Sequence, residues 1–594
     1  MKTAQIATLT IVLLCIVGNC HYLLGQHVVN APLSTTDVAS DETGEYLFLL
    51  QKTAKRLDLV SGKDYQMIHQ WFFHDEPTGV VVKDGRAYVT SSFASGLVTV
   101  IDILSKEKII EINVPMGATS PVLSHDGVKL YVCCQYNNSL LEIDLISNKV
   151  KRNVSLLREP AGAALSHDGK YLYVTNFLPA QRADVEVVTA KVSVVDTKTM
   201  KRVKDIALAN GSNALRGICI SSDGRYVFIT HNLGRFQVPT SQLQQGWMNT
   251  SGLSIIHTAS QSYLGTVLLD EPEYGAAGIW DVTCNADKML ISHSGTHDIS
   301  VIDYAAFINK FEQTDKKEEL SYDLRFFTDI RYRLKVVGNG PRSLLLDGVQ
   351  AIVPTYFSDT LNVIDLVSQQ IYAHALNPDL KETIERKGER IFNDASHCFQ
   401  GWQSCNGCHP GDARTDGMNW DLLNDGIGNS KNCKSLLYAH QTAPSMITGI
   451  RPDAETAVRA GFRHIQFAEI SEEDAKAVDA YLNSLRPLPS PYLVQGRLSE
   501  KAKRGKQVFQ KASCNYCHSG TLYTDMQMHK IGTIEFEKGW DTPTLKEVWR
   551  TAPYLFDGRA ESIETLIKDF KHGLEGQRLK KKEIEDLIEY VKSL

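Results

Sequence analysis

The sequence predicts a multidomain chain in which an all-β, seven-bladed propeller is followed by two small all-α domains. Three observations carry this reading. A strand-turn-strand unit recurs between about residues 35 and 375, and helical periodicity replaces it after Asp365. The remaining stretch divides into two similar halves, each holding one Cys-x-x-Cys-His pentapeptide, at Cys405 to His409 and at Cys514 to His518.

The N-terminus, Met1-Lys2-Thr3 followed by the apolar segment Ile6 to Val17, reads as a signal peptide over residues 1–25. A charged start and a short hydrophobic core suit export better than a membrane span. Cleavage before Gln26 fits; lipidation of Cys20 is the alternative, although Asn19 is a poor match to the small residue usual there. The expectation is an exported protein, periplasmic or at the cell surface, touching a membrane only through such an anchor. With 594 residues the chain exceeds one ordinary core. A net charge of −6 without a basic block excludes nucleic acid as a partner.

In the propeller region, 35–375, an Asp-Gly or similar turn precedes each aromatic or β-branched strand. Asp126-Gly127 stands before Leu130-Tyr131-Val132, Asp168-Gly169 before Leu172-Tyr173-Val174, and Asp223-Gly224 before Val227-Phe228-Ile229. Later strands close on aspartate, at Asp102, Asp144, Asp196, Asp303 and Asp365. Equivalent positions fall at Phe48, Tyr88, Tyr131, Tyr173, Phe228, Leu290 and Ile352, spaced 40, 43, 42, 55, 62 and 62 residues, which suits seven four-stranded blades. Tyr173-Val174-Thr175-Asn176 resembles, letter for letter, the name motif of the YVTN-type propellers. The insertion Asn232 to Ser254, with Arg235, Gln244, Trp247 and Asn249, reads as a binding loop, and Lys310 to Leu334 as a charged surface excursion. His231, His293 and His297 are candidates for a cluster at the propeller mouth, or simply hydrogen-bonded histidines.

Two helical domains follow, at 380–486 and 497–594, separated by a linker that Pro487, Pro489 and Pro491 keep from being helical. Gly388-x-x-x-Phe392 matches Gly505-x-x-x-Phe509, Thr442-Ala443-Pro444 matches Thr551-Ala552-Pro553, and Phe462-Arg463-His464 matches Phe570-Lys571-His572. Ile563, Leu566, Ile567 and Phe570 make one apolar stripe; Ile584, Leu587, Ile588, Val591 and Leu594 make another.

In a Cys-x-x-Cys-His motif both thiols can add to the vinyl groups of a haem while the histidine ligates its iron. Two CxxC pairs can also close one zinc site, but these lie over a hundred residues apart and each is followed by histidine. The expected cofactors are therefore two covalently bound haem c, held by Cys405, Cys408 and His409 and by Cys514, Cys517 and His518. Cys398 and Cys433 flank the first motif as a candidate disulfide. Cys133, Cys134, Cys219 and Cys284 read as small buried hydrophobes.

From about 380 onward the chain resembles the bacterial di-haem cytochrome c peroxidase and MauG family, most closely through Thr542-Pro543-Thr544-Leu545 and Thr551-Ala552-Pro553-Tyr554-Leu555-Phe556-Asp557-Gly558-Arg559. The resemblance implies two cytochrome-c-like domains, hydrogen peroxide as oxidant, an electron-donor protein such as a small cytochrome or copper protein, or a bound protein or small molecule that is oxidised. It also implies a calcium ion between the domains, with Thr551 and Pro553 as backbone ligands.

The chain departs from the family at Phe570, where a Met or Tyr ligand is expected, and at Ile447-Thr448-Gly449, where a tryptophan is missing; Trp420 is a substitute bridge, the alternative being transfer without an aromatic bridge. His464 and His572 are the proposed distal ligands, the alternative being ordinary surface histidines, with His529 the rival in the second half and His440 or Met446 in the first. Glu469, near the offset from Arg451 at which the family keeps its distal glutamate, is the candidate acid-base group, the equal alternative being an exposed carboxylate before a helix that Ser471 caps. The alternative to an enzyme is an electron-transfer or sensing protein with the propeller as a docking platform.

Overall fold

The computed structural model describes residues 31–92, 96–237, 248–422, 430–531 and 538–594. The signal-peptide and Cys20 expectations, together with Gln244 and Trp247, lie outside them. No helix among the described residues is long and apolar enough to cross a membrane.

Seven antiparallel sheets span Thr35–Phe72, Pro77–Val114, Ala118–Ser155, Pro160–Ala207, Ser212–Leu268, Ile279–Lys335 and Leu345–Ala375, and form a seven-bladed propeller. Each of the seven equivalent positions, Phe48 to Ile352, falls on the second strand of its blade and is buried. Burying such a side chain contributes about 1.5–3 kcal/mol. The aspartate-ended strands are the third of each blade, and a more exposed fourth strand follows them, which the alternation had not marked.

Innermost strands clasp the next blade through short polar side chains. Asp37 accepts from the Val80 amide at 2.9 Å, Ser120 from Ala163 at 3.0 Å, and Asp281 from Leu344 at 3.0 Å. Ser343 accepts from Val38 at 3.2 Å, and Asp359 from the Leu33 and Ser34 amides at 2.9 Å each, which closes the ring between the seventh and first blades.

The segment Lys310 to Leu334 is not a surface excursion. It continues helix α1 (Tyr304–Gln313) and ends in the fourth strand of the sixth blade, and Phe307, Phe311, Phe326 and Phe327 pack as a buried aromatic cluster. Glu312, Lys316, Glu318 and Glu319 face outward, whereas the phenylalanines face in and the side chains of Arg331 and Arg333 are largely buried in pairs with Glu271 and Asp298. His231 and His293 are buried and hydrogen-bonded, to Ser254 at 2.7 Å and Ser300 at 2.8 Å, and His297 lies 3.1 Å from Asp394. They form no shared cluster.

The C-terminal part holds two helical modules. In the first, α2 (Ile384–Asn393) crosses α4 (Glu472–Ser484), with α3 (Ala454–His464) beside them. In the second, α5 (Glu500–Lys511) crosses α7 (Lys581–Lys592), with the short α6 (Ile563–Lys568) alongside. The repeated Gly-x-x-x-Phe has a geometric cause. A Cβ on Gly388 would stand 1.8 Å from the Ala477 carbonyl oxygen, and one on Gly505 1.9 Å from that of Asp586. One turn on, Phe392 packs against Tyr481 and Phe509 against Tyr590, with ring centres 5.4 Å apart in each pair.

A buried chain of charges joins the propeller to both modules. Glu159 of the fourth blade lies 3.3 Å from Arg550, Arg550 lies 3.3 Å from Glu547, and Glu547 lies 2.9 Å from Arg414. Arg158 adds a hydrogen bond to the Arg550 carbonyl at 2.9 Å. Each charge is desolvated yet paired, which is what its burial requires.

Candidate functional site

The second Cys-x-x-Cys-His opens on a tight turn just after the crossing helix α5, whereas two short turns, Ala395–His397 and Phe399–Gly401, separate α2 from the first. The histidine is oriented identically in both: His409 Nδ1 donates to the Arg414 carbonyl at 3.0 Å, and His518 Nδ1 donates to the Tyr523 carbonyl at 3.1 Å. That bond fixes the tautomer and leaves Nε2 free for a metal. Burial lowers the pKa of both imidazoles, that of His518 to about 4, so each is neutral and able to ligate.

Cys405, Cys408 and His409 form one wall of a cavity of about 310 Å³. Met446, Ile447, Val458, Phe462 and Ile465 supply much of its apolar lining, and Lys431, Lys434 and Arg451 its cationic part. Asp541, Pro543 and Thr544 of the second module complete it. An apolar slot walled by two thiols and a neutral imidazole, with cations for carboxylates, fits a covalently held haem. In the second module the fit shows in a pair of rings: His518 and His572 stand 6.3 Å apart, centre to centre. Two metal–nitrogen bonds of about 2 Å, plus the reach from each nitrogen to its ring centre, span that gap.

His464 does not play the part of His572. The two modules run in step at a shift of 109 residues from His409 and His518 into the third helix, but α3 has 11 residues and α6 only 6. The turns after these helices therefore match at a different shift. Phe467 and Lys571 both take left-handed φ, 50° and 49°, and the amides of Ala468 and His572 bond back to Phe462 and Leu566 at 3.0 and 3.2 Å. Ala468, not His464, is the equivalent of His572. His464 ends the longer helix on the surface, outside the cavity lining.

Glu469 is likewise exposed. It pairs with Arg463 at 3.2 Å, and that hydrogen bond holds its carboxyl below the usual range. It is in no position to serve the cavity. His440 is bonded to Asp479 at 3.0 Å and does not line the cavity, whereas Met446 does. His529 is held by Asp525 at 2.6 Å. Trp420 lines the cavity on the propeller side, donating to Asp416 at 2.8 Å and packing near Gly234, so it does not lie between the modules. Trp540 and Phe556, stacked at 4.1 Å, lie nearer that boundary: the Asp541 amide donates to the Ile447 carbonyl at 2.9 Å, and the Asn432 amide to that of Phe556 at 2.7 Å.

The Cys398–Cys433 disulfide does not form. Both are free thiols, and Cys433 points at the first motif, where its Sγ donates to the Cys408 carbonyl at 3.1 Å. Cys219 and Cys284 are not simply separate hydrophobes either, since their sulfurs lie 3.8 Å apart across adjacent blades. At Thr551 and Pro553 no cluster of ligating side chains gathers among the described residues; the cluster that does exist is Cys517, Asp525 and His529.

The sequence reading missed Asp416 and Asp525. Each follows its motif by seven residues and accepts a backbone amide two residues on, from Met418 at 2.9 Å and from Gln527 at 3.1 Å. The repeated dipeptide Thr415-Asp416 and Thr524-Asp525 was the available signal. The insertion of the fifth blade was expected to bind something; its described flanks bind this chain itself, Asn232 donating to the Gly407 carbonyl at 3.3 Å.

No family model matches the chain. It is 26% identical over 294 residues to hydrazine synthase subunit gamma of Kuenenia stuttgartiensis, covering 39% of this chain and 82% of that protein. It is 25% identical over 270 residues to methylamine utilization protein MauG of Methylophilus methylotrophus, covering 35% and 81%. Hydrazine synthase subunit beta of K. stuttgartiensis is 24% identical over 188 residues, covering 30% of this chain and less than half, 47%, of that one. Among solved structures, a K. stuttgartiensis hydrazine synthase chain superposes with a TM-score of 0.53 at 22% identity, over 57% of this chain and 98% of that chain, a likeness of fold. The chain thus joins a seven-bladed propeller to a module similar to MauG.

Proposed function

We propose that the chain is an exported di-haem c-type oxidoreductase, its two helical modules cytochrome-c-like, in which the first site meets the substrate and the second passes electrons. The observation that carries this is the inequality of the two modules: the turn that brings His572 to face His518 carries Ala468 in the first module. Haem bound in these modules supplies an iron that exchanges single electrons and, where one side is vacant, admits a small molecule. His518 and His572 would hold the iron of the second site between them, an arrangement suited to electron transfer alone. In the first, His409 would hold the iron, and Met446, Val458, Phe462 and Ile465 supply apolar lining to the cavity beside it.

The substrate class is a small redox-active molecule. Hydrogen peroxide, with electrons from a small cytochrome or copper protein, or with MauG-like oxidation of a bound partner, is the reading the MauG similarity supports. Similarity to two subunits of one hydrazine synthase favours a second reading, small nitrogen compounds such as hydrazine handled within a protein assembly. A calcium ion belongs to the proposal only through the backbone of Thr551 and Pro553.

The test is spectroscopic. Purified protein carrying two haems is expected to show one low-spin and one high-spin site. His572→Ala converts the second to high spin, Ala468→His drives the first low-spin and abolishes its reaction with added peroxide or hydrazine, and His464→Ala and Glu469→Ala change neither. Two low-spin sites in the native protein, with no reaction toward either compound, would leave an electron carrier and overturn the enzymatic reading.

A further inference from the structure

Both anchoring sulfurs of the first motif receive a side-chain amide N–H. Gln466 Nε2 donates to Cys405 Sγ at 3.0 Å, and Asn249 Nδ2 donates to Cys408 Sγ at 3.2 Å. Asn249 belongs to the propeller, on the fifth-blade strand Asn249–His257, and is only 4% exposed. Its orientation is set by a second bond, to Gln403 Oε1 at 3.4 Å, because the Gln403 amide nitrogen is itself engaged with the Ile465 carbonyl at 2.8 Å. The carbonyl oxygens of Asn249 and Gln466 are buried without a partner. A polar group left unsatisfied in this way costs stability, so such exceptions call for a reason. Among the described residues no side-chain amide donates to Cys514 or Cys517.

We propose that Asn249 is a positioning residue for the first haem, through which the propeller tunes that site's reduction potential. The proposal rests on reading Cys405 to His409 as a haem attachment. A sulfur remains a hydrogen-bond acceptor after it forms a thioether. The N–H dipole then presents its positive end at the edge of the macrocycle, where the local dielectric is low and the interaction is weakly screened. Positive potential there favours the reduced state, which carries one more electron, and raises the first site's midpoint; hydrogen bonding beyond the axial ligands is one of the levers a protein has on haem. Gln466 acts in the same sense from the other sulfur. The propeller is thus a structural part of the redox centre as well as any docking platform it provides.

The experiment is a spectroelectrochemical titration of the full-length protein carrying haem, comparing wild type with Asn249→Leu and Gln466→Leu. Haem content and covalent attachment are measured first by the alkaline pyridine spectrum. Wild-type protein without attached haem would refute the functional proposal itself, whereas attached haem with unmoved potentials refutes only this inference. The expected result is a lower midpoint at the first, high-spin site in each variant, by about tenfold in the oxidised-to-reduced equilibrium, or about 59 mV for one electron. The second, low-spin midpoint stays in place. Equal shifts at both sites would indicate general loosening, and an unshifted first midpoint would show the amides to be spectators; either outcome overturns the proposal.

Discussion

The two helical modules share a scaffold and differ where they face their sites. Glycine at the helix crossing, the aromatic pair one turn on, the histidine bonded to a carbonyl five residues ahead and the aspartate seven residues ahead occur in both. What differs is small: Trp420 against His529 as donor to that aspartate, Cys433 against Thr542 beside the motif, and Ala468 against His572 at the distal turn. The scaffold is dictated by close packing, which admits few alternatives. The site-facing residues are free of that constraint, and the turn that carries His572 in the second module carries Ala468 in the first, after a helix five residues longer.

The largest expected effect tests a residue without a counterpart. Arg414 is paired with the fully buried Glu547, whereas its positional equivalent, Tyr523, bonds only to the Tyr590 hydroxyl at 3.0 Å. Arg414→Met leaves the buried Glu547 carboxylate with one cation, Arg550, and the Leu488 amide, and is expected to cost about 3–5 kcal/mol. Tyr523→Phe removes one neutral hydrogen bond and is expected to cost about 1 kcal/mol. Urea unfolding of the two variants measures the difference, and equal losses would mean that the charge chain does not hold the domains together.

Next is a test of sameness. Gly388→Ala and Gly505→Ala each force a methyl into a carbonyl oxygen less than 2 Å away, so the helices must separate. Overpacking of this kind costs about 1–3 kcal/mol, here at the upper end, and equally in both modules. A marked inequality in the thermal unfolding of the two variants would show that only one crossing is tight.

Much of this could be read in the chain. Seven strand positions were visible because each blade buries the same aromatic or branched residue after the same turn, and the modules were visible because glycine and phenylalanine recur at the crossing. The fourth strands escaped because their side chains are largely exposed and do not alternate. The Lys310 to Leu334 segment differs from its reading because phenylalanines spaced among charges look like a surface, whereas α1 turns Phe311 inward and the turn that follows packs Phe326 and Phe327 against it. His464 was misassigned because matching letters, Phe-Arg-His with Phe-Lys-His, take no account of helix length. Asn249 could be singled out within its insertion, but its partner, Cys408, lies 159 residues away and only the fold brings them together.

The smallest effect separates the modules by pH. Asp416 is fully buried, and burial raises its pKa to about 7, despite hydrogen bonds from Met418 and Trp420 that favour the charged form. At Asp525 burial also raises the pKa, but the bonds from His529 and Gln527 outweigh it and the net shift is downward. The signs therefore oppose. Asp416 contributes stability below the ordinary carboxylate pKa of 3.8, and that contribution is lost as pH rises toward about 7. The expected loss between about pH 5 and pH 7 is about 2 kcal/mol. Asp525 contributes above 3.8, and its share is lost as pH falls through its lower folded value. Asp416→Asn forfeits one of two hydrogen bonds at every pH, so its readout is slope: the decline in unfolding free energy from about pH 5 to pH 7 should flatten. Asp525→Asn should leave that slope intact and remove a loss on the acid side. If both variants change the same limb, the two aspartates occupy equivalent environments, and the contrast between the modules stops at the distal turn.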